Sequence, residues 1–175
     1  DQVQATDEVK ITLSEPSDTA INALHDTSRS LQLKDMYGDF SNAAEGEEQF
    51  VTLENELIKI NLTNKGGKVY SVQLKKYVTY DSLPLLLFNG GLNEFGLNFF
   101  AQNRNISTNN LFFEVAGNSF EVKGEEVKSI SLRIPLGDGK HLEYLYTLTG
   151  NSYDLKLDVN FKGLDKIIAD NANYI

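Results

Sequence analysis

The side chains that most often carry acid-base chemistry are few and scattered in this sequence. Of its two histidines, His25 lies in an acidic leader and His141 opens a strand directly after a turn. The pair Glu125-Glu126 sits at a joint between strands, where solvated turn charge is the ordinary explanation, and Asp138 belongs to a Gly-Asp-Gly turn. A general acid and a general base must both reach one substrate atom. We therefore expect no catalytic residue, with His141 as a general base kept as the alternative.

Nucleophiles and ligands for metals or phosphates are equally scarce. Ser71 and Ser131 alternate with apolar residues, and neither lies in the Gly-x-Ser-x-Gly turn of hydrolases. The absence of cysteine removes thiol nucleophiles and thiolate ligands. Proteins that bind nucleic acid normally carry a basic patch, whereas this chain has a net charge of −9. We expect an enzymatically inactive protein with no metal, no cofactor and no nucleic-acid partner.

Two adjacent glycines stand in the stretch Asn64-Lys-Gly-Gly-Lys-Val-Tyr. A loop that cradles phosphate would open a helix and continue with Gly-Lys-Ser/Thr or a third spaced glycine, and neither follows here. Strand-like alternation continues on both sides instead. Asn and Gly tolerate the positive φ that a tight hairpin needs. We predict that Asn64, Gly66 and Gly67 form a structural turn, with a positive φ at Gly66 or Gly67.

Strand patterns follow one another from residue 50 onward, with Gly, Asn and Asp at the joints. Alternating apolar and polar residues indicate sheets with one buried and one wet face, which is typical of an antiparallel all-β sandwich. After the glycine pair, strict alternation predicts that Val69 shares a face with Ser71 and lies opposite Val72. The predicted strands are 50–53, 57–62, 69–74, 111–115, 120–122, 127–134, 141–149 and 153–161.

Residues 1–48 differ from the rest of the chain in charge and pattern. They hold 11 acidic and 3 basic side chains, which is nearly all of the net charge. Apolar residues at helical intervals predict one short helix between Asp18, a possible N-cap, and Gly38, a possible stop. Small and acidic residues over 41–48 are typical of a linker. We predict an acidic leader over 1–48 and a β-sandwich domain over 49–175 that folds without it.

The segment 89–105 interrupts the strand pattern. It is rich in Gly and Asn and carries Phe95, Phe99 and Phe100. Such a segment is either a loop packed over the sheet by its own aromatic side chains or the wall of a binding groove. Packing in the core is the favoured interpretation, and a partner or groove surface at the three phenylalanines is the alternative.

The stretch "ENELIKINLTNKGGKVYSVQLKKY" over 54–77, followed by "LPLLLF" over 83–88, resembles the start of the large periplasmic domain of the bacterial YidC membrane-protein insertase family. In that family a strand, an Asn/Thr-x-Gly-Gly turn and a second strand precede a short apolar stretch. The likeness extends more loosely through the turn around Gly137-Asp-Gly139 and the strands of "YTLTGNSYDLKLDVNF". It covers roughly residues 50–163.

That resemblance implies an antiparallel β-supersandwich of the mutarotase type on the periplasmic face of the inner membrane. It implies a non-catalytic scaffold or interaction surface for membrane protein insertion, with the Sec translocon and the SecDF accessory complex as partners. Insertion in the family belongs to five transmembrane helices, which would meet nascent membrane proteins and which have no counterpart here. The family domain is also longer, which implies that 49–175 is a partial domain truncated at its C-terminus.

A function of another class stays open, because the same fold occurs in sugar-handling proteins. The chain could be a mutarotase-like carbohydrate-binding module or a sugar epimerase. Mutarotation needs an acid and a base beside the anomeric carbon, commonly histidine and carboxylate. Only His141 lies in the β region, and the sequence has no tryptophan, although its 8 tyrosines could offer stacking surfaces. These counts favour the scaffold.

Overall fold

The computed structural model describes residues 18–90, 93–165 and 167, with side chains from residue 26 onward. Its described part is dominated by β-strands and opens with one helix, α1 (Asp18–Tyr37), followed by a 3₁₀ helix at Gly38–Ala43. This confirms the all-β class with an N-terminal helix. The strands are β1 (Phe50–Glu54), β2 (Ile58–Thr63), β3 (Lys68–Val78), β4 (Pro84–Asn89), β5 (Asn98–Ala101), β6 (Arg104–Ser107), β7 (Glu114–Ala116), β8 (Phe120–Glu121), β9 (Val127–Pro135), β10 (His141–Thr149) and β11 (Leu155–Lys162).

Two sheets form the body. The first has the order β4-β3-β2-β1-β8, antiparallel except for the short parallel pair β1–β8. The second has the antiparallel order β11-β10-β9-β7, and β5 and β6 form a separate hairpin. Buried side chains from both sheets belong to one hydrophobic cluster, as expected where two sheets pack face to face. Its largest fully buried members include Phe40, Leu53, Ile60, Leu62, Phe113, Leu132, Ile134, Tyr144 and Tyr146.

A β-bulge between β2 and β3 changes which residues face the core. Asn61 pairs with Ser71, but the next residue, Leu62, pairs with Val69, so Tyr70 is the extra residue on β3. Because the bulge breaks the alternation, Val69 packs against the core together with Val72. The expected placement of Val69 on the face of Ser71 is therefore wrong. Strict alternation could not reveal an inserted residue.

The segment that follows α1 enters the core. Gly38 ends the helix with a φ of +58°, and the 3₁₀ helix then places Phe40 and Ala43 among the buried side chains. The Phe40 ring packs edge-on against Phe99, with centroids 5.5 Å apart. The boundary at residue 49 remains a prediction, but this packing leads us to expect that the folded unit begins near Gly38.

Two segments contain strands that alternation did not reveal. The apolar run at 84–89 forms β4, and the segment 89–105, expected as a loop, contains β5 and the start of β6. The β5–β6 hairpin turns through Gln102 and Asn103, both with positive φ, as a tight two-residue turn requires.

The predicted strand at 111–115 is shorter than expected, because regular pairing begins only at Glu114.

Candidate functional site

Asn64, the first residue of the glycine turn, makes hydrogen bonds to three parts of the chain. The backbone N–H of Gln49 donates to Asn64 Oδ1 at 2.7 Å, and Asn64 Nδ2 donates to the Glu47 carbonyl at 3.0 Å. The N–H groups of Gly67 and Phe113 both donate to the Asn64 carbonyl, at 3.2 and 2.9 Å. A buried amide that satisfies this many backbone groups fixes the paths of its neighbours. Asn64 therefore holds the backbone of Glu47, Gln49 and Phe113 against the turn.

Both glycines adopt a conformation that other residues rarely take. Gly66 has a φ of +78° and Gly67 a φ of +63°, so the positive φ expected at one of them occurs at both. A Cβ on Gly67 would lie 3.0 Å from the rings of Phe113 and Tyr144, so these rings would have to shift to admit a side chain. The Tyr146 hydroxyl donates to the Gly67 carbonyl at 2.7 Å. The turn thus joins the first sheet to the second.

The three phenylalanines of the aromatic segment have different environments. Phe99 is 2% exposed and packs edge-on against Phe40 and Phe161, so it belongs to the core. Phe100, on the opposite side of β5, is 47% exposed. Phe95 is partly exposed and lies 6.1 Å from the Tyr144 ring, measured between centroids. Of the three, Phe95 is the one that borders a groove.

That groove lies between the edges of the two sheets and has a volume of about 240 Å³. Val69 of β3 and Phe88 of β4 form one wall, and Tyr146 of β10 with two leucines of β11 forms the other. Among the described residues, no charged side chain lines it. We call it the sheet-edge groove, and its lining residues are Val69, Phe88, Asn93, Phe95, Tyr146, Leu155 and Leu157.

The exposed apolar strand β4 lies beside this groove and was missed as a strand. Leu86 and Leu87 are 44% and 59% exposed, and Phe88 is 38% exposed. The β3–β4 connection adds the exposed Tyr80 and Leu83. An edge strand with one solvated face would alternate apolar and polar residues. The run Leu-Pro-Leu-Leu-Leu-Phe does not alternate, so the sequence pattern did not identify it as a strand. Contiguous apolar surface is uncommon on monomeric soluble proteins.

A larger, acidic cavity of about 400 Å³ lies between the linker and residues 112–115. Glu45, Glu47 and Glu114 are among its lining residues. Within the described part of the chain, however, no three His, Asp or Glu side chains are grouped closely enough to hold a metal ion. The three carboxylates give this cavity an acidic lining, in contrast to the sheet-edge groove.

The outer face of the second sheet carries a polar cluster centred on Glu143. Ser131 Oγ donates to Glu143 Oε1 at 2.5 Å, Arg133 Nη2 lies 2.7 Å from the same oxygen, and Asn160 Nδ2 donates to Oε2 at 3.0 Å. The Ser131 hydrogen bond, helped by Arg133 and Asn160, lowers the Glu143 pKa to about 2 despite partial burial. The carboxylate stays ionised and fully hydrogen-bonded, which suits a structural cross-strand contact.

The titratable residues considered for catalysis are not brought together. The Nδ1 atom of His141 lies 3.3 Å from the Gly139 carbonyl oxygen, a contact within its own turn. Glu125 and Glu126 are exposed at the β8–β9 connection, and Asp138 lies in the β9–β10 turn with a φ of +51°. The side chain of His25 lies outside the described residues. No acid-base pair results in this part of the molecule.

Sequence comparison gives a consistent family. The chain matches the model of the YidC periplasmic domain over residues 50–167. It is 32% identical over 155 residues to the membrane protein insertase YidC of Parabacteroides distasonis, covering 88% of this chain and 24% of the relative. The corresponding insertase of Azobacteroides pseudotrichonymphae is 37% identical over 124 residues, which is 70% of this chain and 19% of that protein.

A third relative, the membrane protein insertase YidC of Bacteroides fragilis, is 32% identical over 136 residues, with 78% of this chain and 21% of the relative covered. The chain therefore spans less than a quarter of the length of these relatives.

Within the described part of the chain, no helix has the length and apolar character needed to cross a membrane.

Proposed function

Because the chain belongs to the YidC periplasmic domain family, we propose that it is the periplasmic part of an inner-membrane protein insertase and presents a binding surface. The observation that carries this proposal is the family match over residues 50–167. The match begins at the first residue of β1 and extends five residues past the end of β11, so it covers the whole two-sheet body. Membrane protein insertion is the activity that the relatives are named for.

The arrangement of side chains supports a non-enzymatic role for the domain. Proton transfer requires an acid or base within hydrogen-bond reach of the substrate, usually in a cleft that excludes water. The sheet-edge groove is lined by apolar, aromatic and amide side chains. Its one phenol, Tyr146, donates to the Gly67 carbonyl, and burial raises the pKa of that phenol. Such a groove favours binding over catalysis.

The partners that we propose follow from the family. They are the Sec translocon and the SecDF accessory complex, with nascent membrane proteins handled by the transmembrane part of the insertase. The domain would stand on the periplasmic face of the inner membrane. Exposed apolar strands are unfavourable in water, so the β3–β4 region is the surface most in need of a partner.

The first experiment measures binding of the purified chain to the Sec translocon and to the SecDF complex, each reconstituted in lipid nanodiscs. Saturable binding to either is expected, and empty nanodiscs of the same lipids are the control. Absence of binding to both complexes contradicts the proposed partners.

A second experiment separates the scaffold from a sugar epimerase. The anomerisation of glucose and galactose is followed by polarimetry with the wild-type chain and with His141→Ala. No acceleration over buffer is expected from either protein. Turnover by the wild-type chain that disappears in His141→Ala would overturn the non-enzymatic assignment.

A further inference from the structure

Helix α1 lies on the surface of the body and, from residue 26 onward, contributes no fully buried side chain. Between residues 26 and 37 every side chain is exposed except Leu33 and Tyr37, which are half-buried. Burial in the core begins only after the helix, with Phe40 of the 3₁₀ helix. Burial of apolar surface is the main force that holds an element in the core. The described part of α1 must therefore depend largely on contacts of another kind.

Among the described residues, two ion pairs supply such contacts. On α1 the Arg29 guanidinium pairs with Glu45, which follows the 3₁₀ helix. In the last turn of α1, Arg104 of β6 donates from Nε to the backbone carbonyl of Asp35, and its Nη2 lies 4.0 Å from an Asp35 carboxylate oxygen. The last carbonyls of a helix have no partner within the helix, so a cation placed there is favourable. The two pairs fasten α1 at two points along its length.

Apolar packing does not fill the space beneath α1. A cavity of about 310 Å³ lies between the helix and the segment 41–45. Leu33 is the one apolar residue among its described lining residues, and the others are polar or charged. Exposed ion pairs are screened by water and salt, so each of them contributes little to stability. The docking of α1 is therefore weak and depends on charge.

The junction between α1 and the body is a glycine whose far side is anchored. Gly38 has a φ of +58°, a conformation that residues with a side chain rarely adopt. Directly after it, the Asp39 backbone N–H donates to Gln102 Oε1 at 3.3 Å, and Gln102 Nε2 donates to Asp39 Oδ2 at 2.8 Å. Phe40 then packs against Phe99 in the core. Gly38 thus separates a segment fixed in the core from a helix held by exposed ion pairs.

We propose that α1 is a releasable arm, which the two ion pairs hold against the body and which swings about Gly38 when they are broken. The two-sheet body stays folded in both states, because its core lies beyond this pivot. Glu45 lines both the cavity beneath α1 and the acidic cavity. Release removes the Arg29 guanidinium from Glu45, so the position of α1 also sets the net charge at the acidic cavity.

The test follows the position of α1 in the full chain by pulsed electron paramagnetic resonance. Because the sequence has no cysteine, Gln32→Cys on α1 and Asn151→Cys in the β10–β11 turn place two nitroxide labels at exposed positions. The distance between the labels is measured at about 0.01 M and about 1 M NaCl, between which the screening length falls from about 30 Å to about 3 Å. We expect one narrow distance distribution at low salt and an additional broad population at high salt.

Substitutions of the paired arginines distinguish ion pairing from a general effect of salt. At low salt, Arg29→Gln or Arg104→Gln should raise the ratio of released to docked α1 by about two- to five-fold, the effect of one exposed pair. The double exchange Arg29→Glu with Glu45→Arg should restore the docked distance, because the pair re-forms with reversed polarity. Lys156→Gln is the matched control, since it removes the same charge from a pair with Asp158 on β11. It should leave the distance distribution unchanged.

Hydrogen exchange of the unlabelled chain, followed by NMR, shows whether the body remains folded. We expect faster exchange of the α1 amides at high salt and unchanged exchange of the β10 amides. Equal acceleration in α1 and β10 would overturn the inference, because arm and body would then unfold together. An unchanged distance distribution at high salt, arginine variants that match Lys156→Gln, or a double exchange that stays released would each overturn it as well.

Discussion

The two ends of β3 differ sharply in how they are packed. The strand begins at the glycine turn, where Thr63, Asn64 and the backbone of Gly66 and Gly67 are enclosed and hydrogen-bonded. It ends at Val78 near the β3–β4 connection, where large apolar side chains face solvent. The first end has its polar groups buried and satisfied, and the second has its apolar groups uncovered. Buried, satisfied polar groups are concentrated at the turn, and uncovered apolar side chains are concentrated at the edge.

This contrast explains why a conspicuous glycine motif need not be a binding site. The turn is conspicuous in sequence because its backbone conformation demands glycine. A Cβ on Gly67 would already lie 3.0 Å from the rings of Phe113 and Tyr144. The β4 edge has no motif beyond its apolar run, yet among the described residues its outer side pairs with no strand and a groove adjoins it. Changes at the turn should therefore reduce folding stability more than changes at the edge.

The largest effect on folding stability is expected from deleting the segment before β1 that is hydrogen-bonded to Asn64 of the turn. Deleting residues 1–48 removes Phe40, which is 1% exposed, and the backbone that bonds to Asn64. Loss of a buried phenylalanine alone costs about 3 to 5 kcal/mol. We expect this deletion to abolish cooperative urea unfolding, measured by circular dichroism. Deleting residues 1–37 should preserve it, and equal stability of the two deletions would place the domain boundary at residue 49.

The second prediction concerns Gly67 and uses Gly137 as a matched control. Both have positive φ, but a Cβ on Gly137 would have no neighbour within 4 Å. Gly67→Ala combines backbone strain with overpacking against Phe113 and Tyr144, each costing about 1 to 3 kcal/mol. Gly137→Ala should show the strain alone. Chemical denaturation of both variants measures the difference. Equal losses would mean that the turn is less tightly enclosed than its geometry indicates.

A smaller, pH-dependent effect is expected at Glu143 on the outer face of the second sheet. Its pKa is lowered from 4.5 to about 2, so the folded state favours the carboxylate. The resulting stability is complete above the unfolded pKa and is lost as the pH falls through about 2. We expect Glu143→Gln to lower the free energy of unfolding at pH 7 by about 1 kcal/mol. The gap from wild type should shrink between pH 4.5 and 2.

The exposed Glu125 provides the control for that measurement, because Glu125→Gln changes the same formal charge at a solvated turn. Urea titrations of both variants across this pH range compare them directly. A Glu143→Gln loss that does not vary with pH would show that packing, and not ionisation, accounts for it.

The smallest effect on folding is expected at the edge. Leu87→Lys should change the free energy of unfolding by less than about 0.5 kcal/mol, as is usual for exposed positions. Thermal and urea unfolding of the variant and of the control Val127→Lys, at a similarly exposed position on β9, measure this. A loss above 2 kcal/mol at Leu87 would place β4 in the core and remove the contrast between the two ends of β3.

Much of the fold could be predicted from short-range patterns. Alternation identified β1, β2, β9 and β10 nearly to the residue, because side-chain direction in a strand depends only on its neighbours. The glycine turn and the Gly-Asp-Gly turn were predictable because positive φ restricts the residue type. The strands β4 to β6 were missed, because β4 does not alternate and the β5–β6 hairpin lies in a Gly/Asn-rich segment.

The candidate site was less predictable than the fold. Of the three phenylalanines that sequence reasoning singled out, Phe95 borders the groove and Phe99 lies in the core. The other lining residues come from β3, β4, β10 and β11, which are distant in sequence. Phe40 appeared to belong to a dispensable leader, but it packs beneath β5 against Phe99. These relations depend on which strands become neighbours.

The sequence by itself determined the β class, the turn at Asn64 to Gly67 and the scarcity of catalytic side chains, since residue type and local periodicity are sufficient for each. The tertiary structure decided that a bulge turns Val69 inward, that Phe40 enters the core and that the apolar strand β4 is terminal in the first sheet as described. Those outcomes depend on pairing between distant strands, whose register and order are set by the packing of the whole core and not by any local pattern.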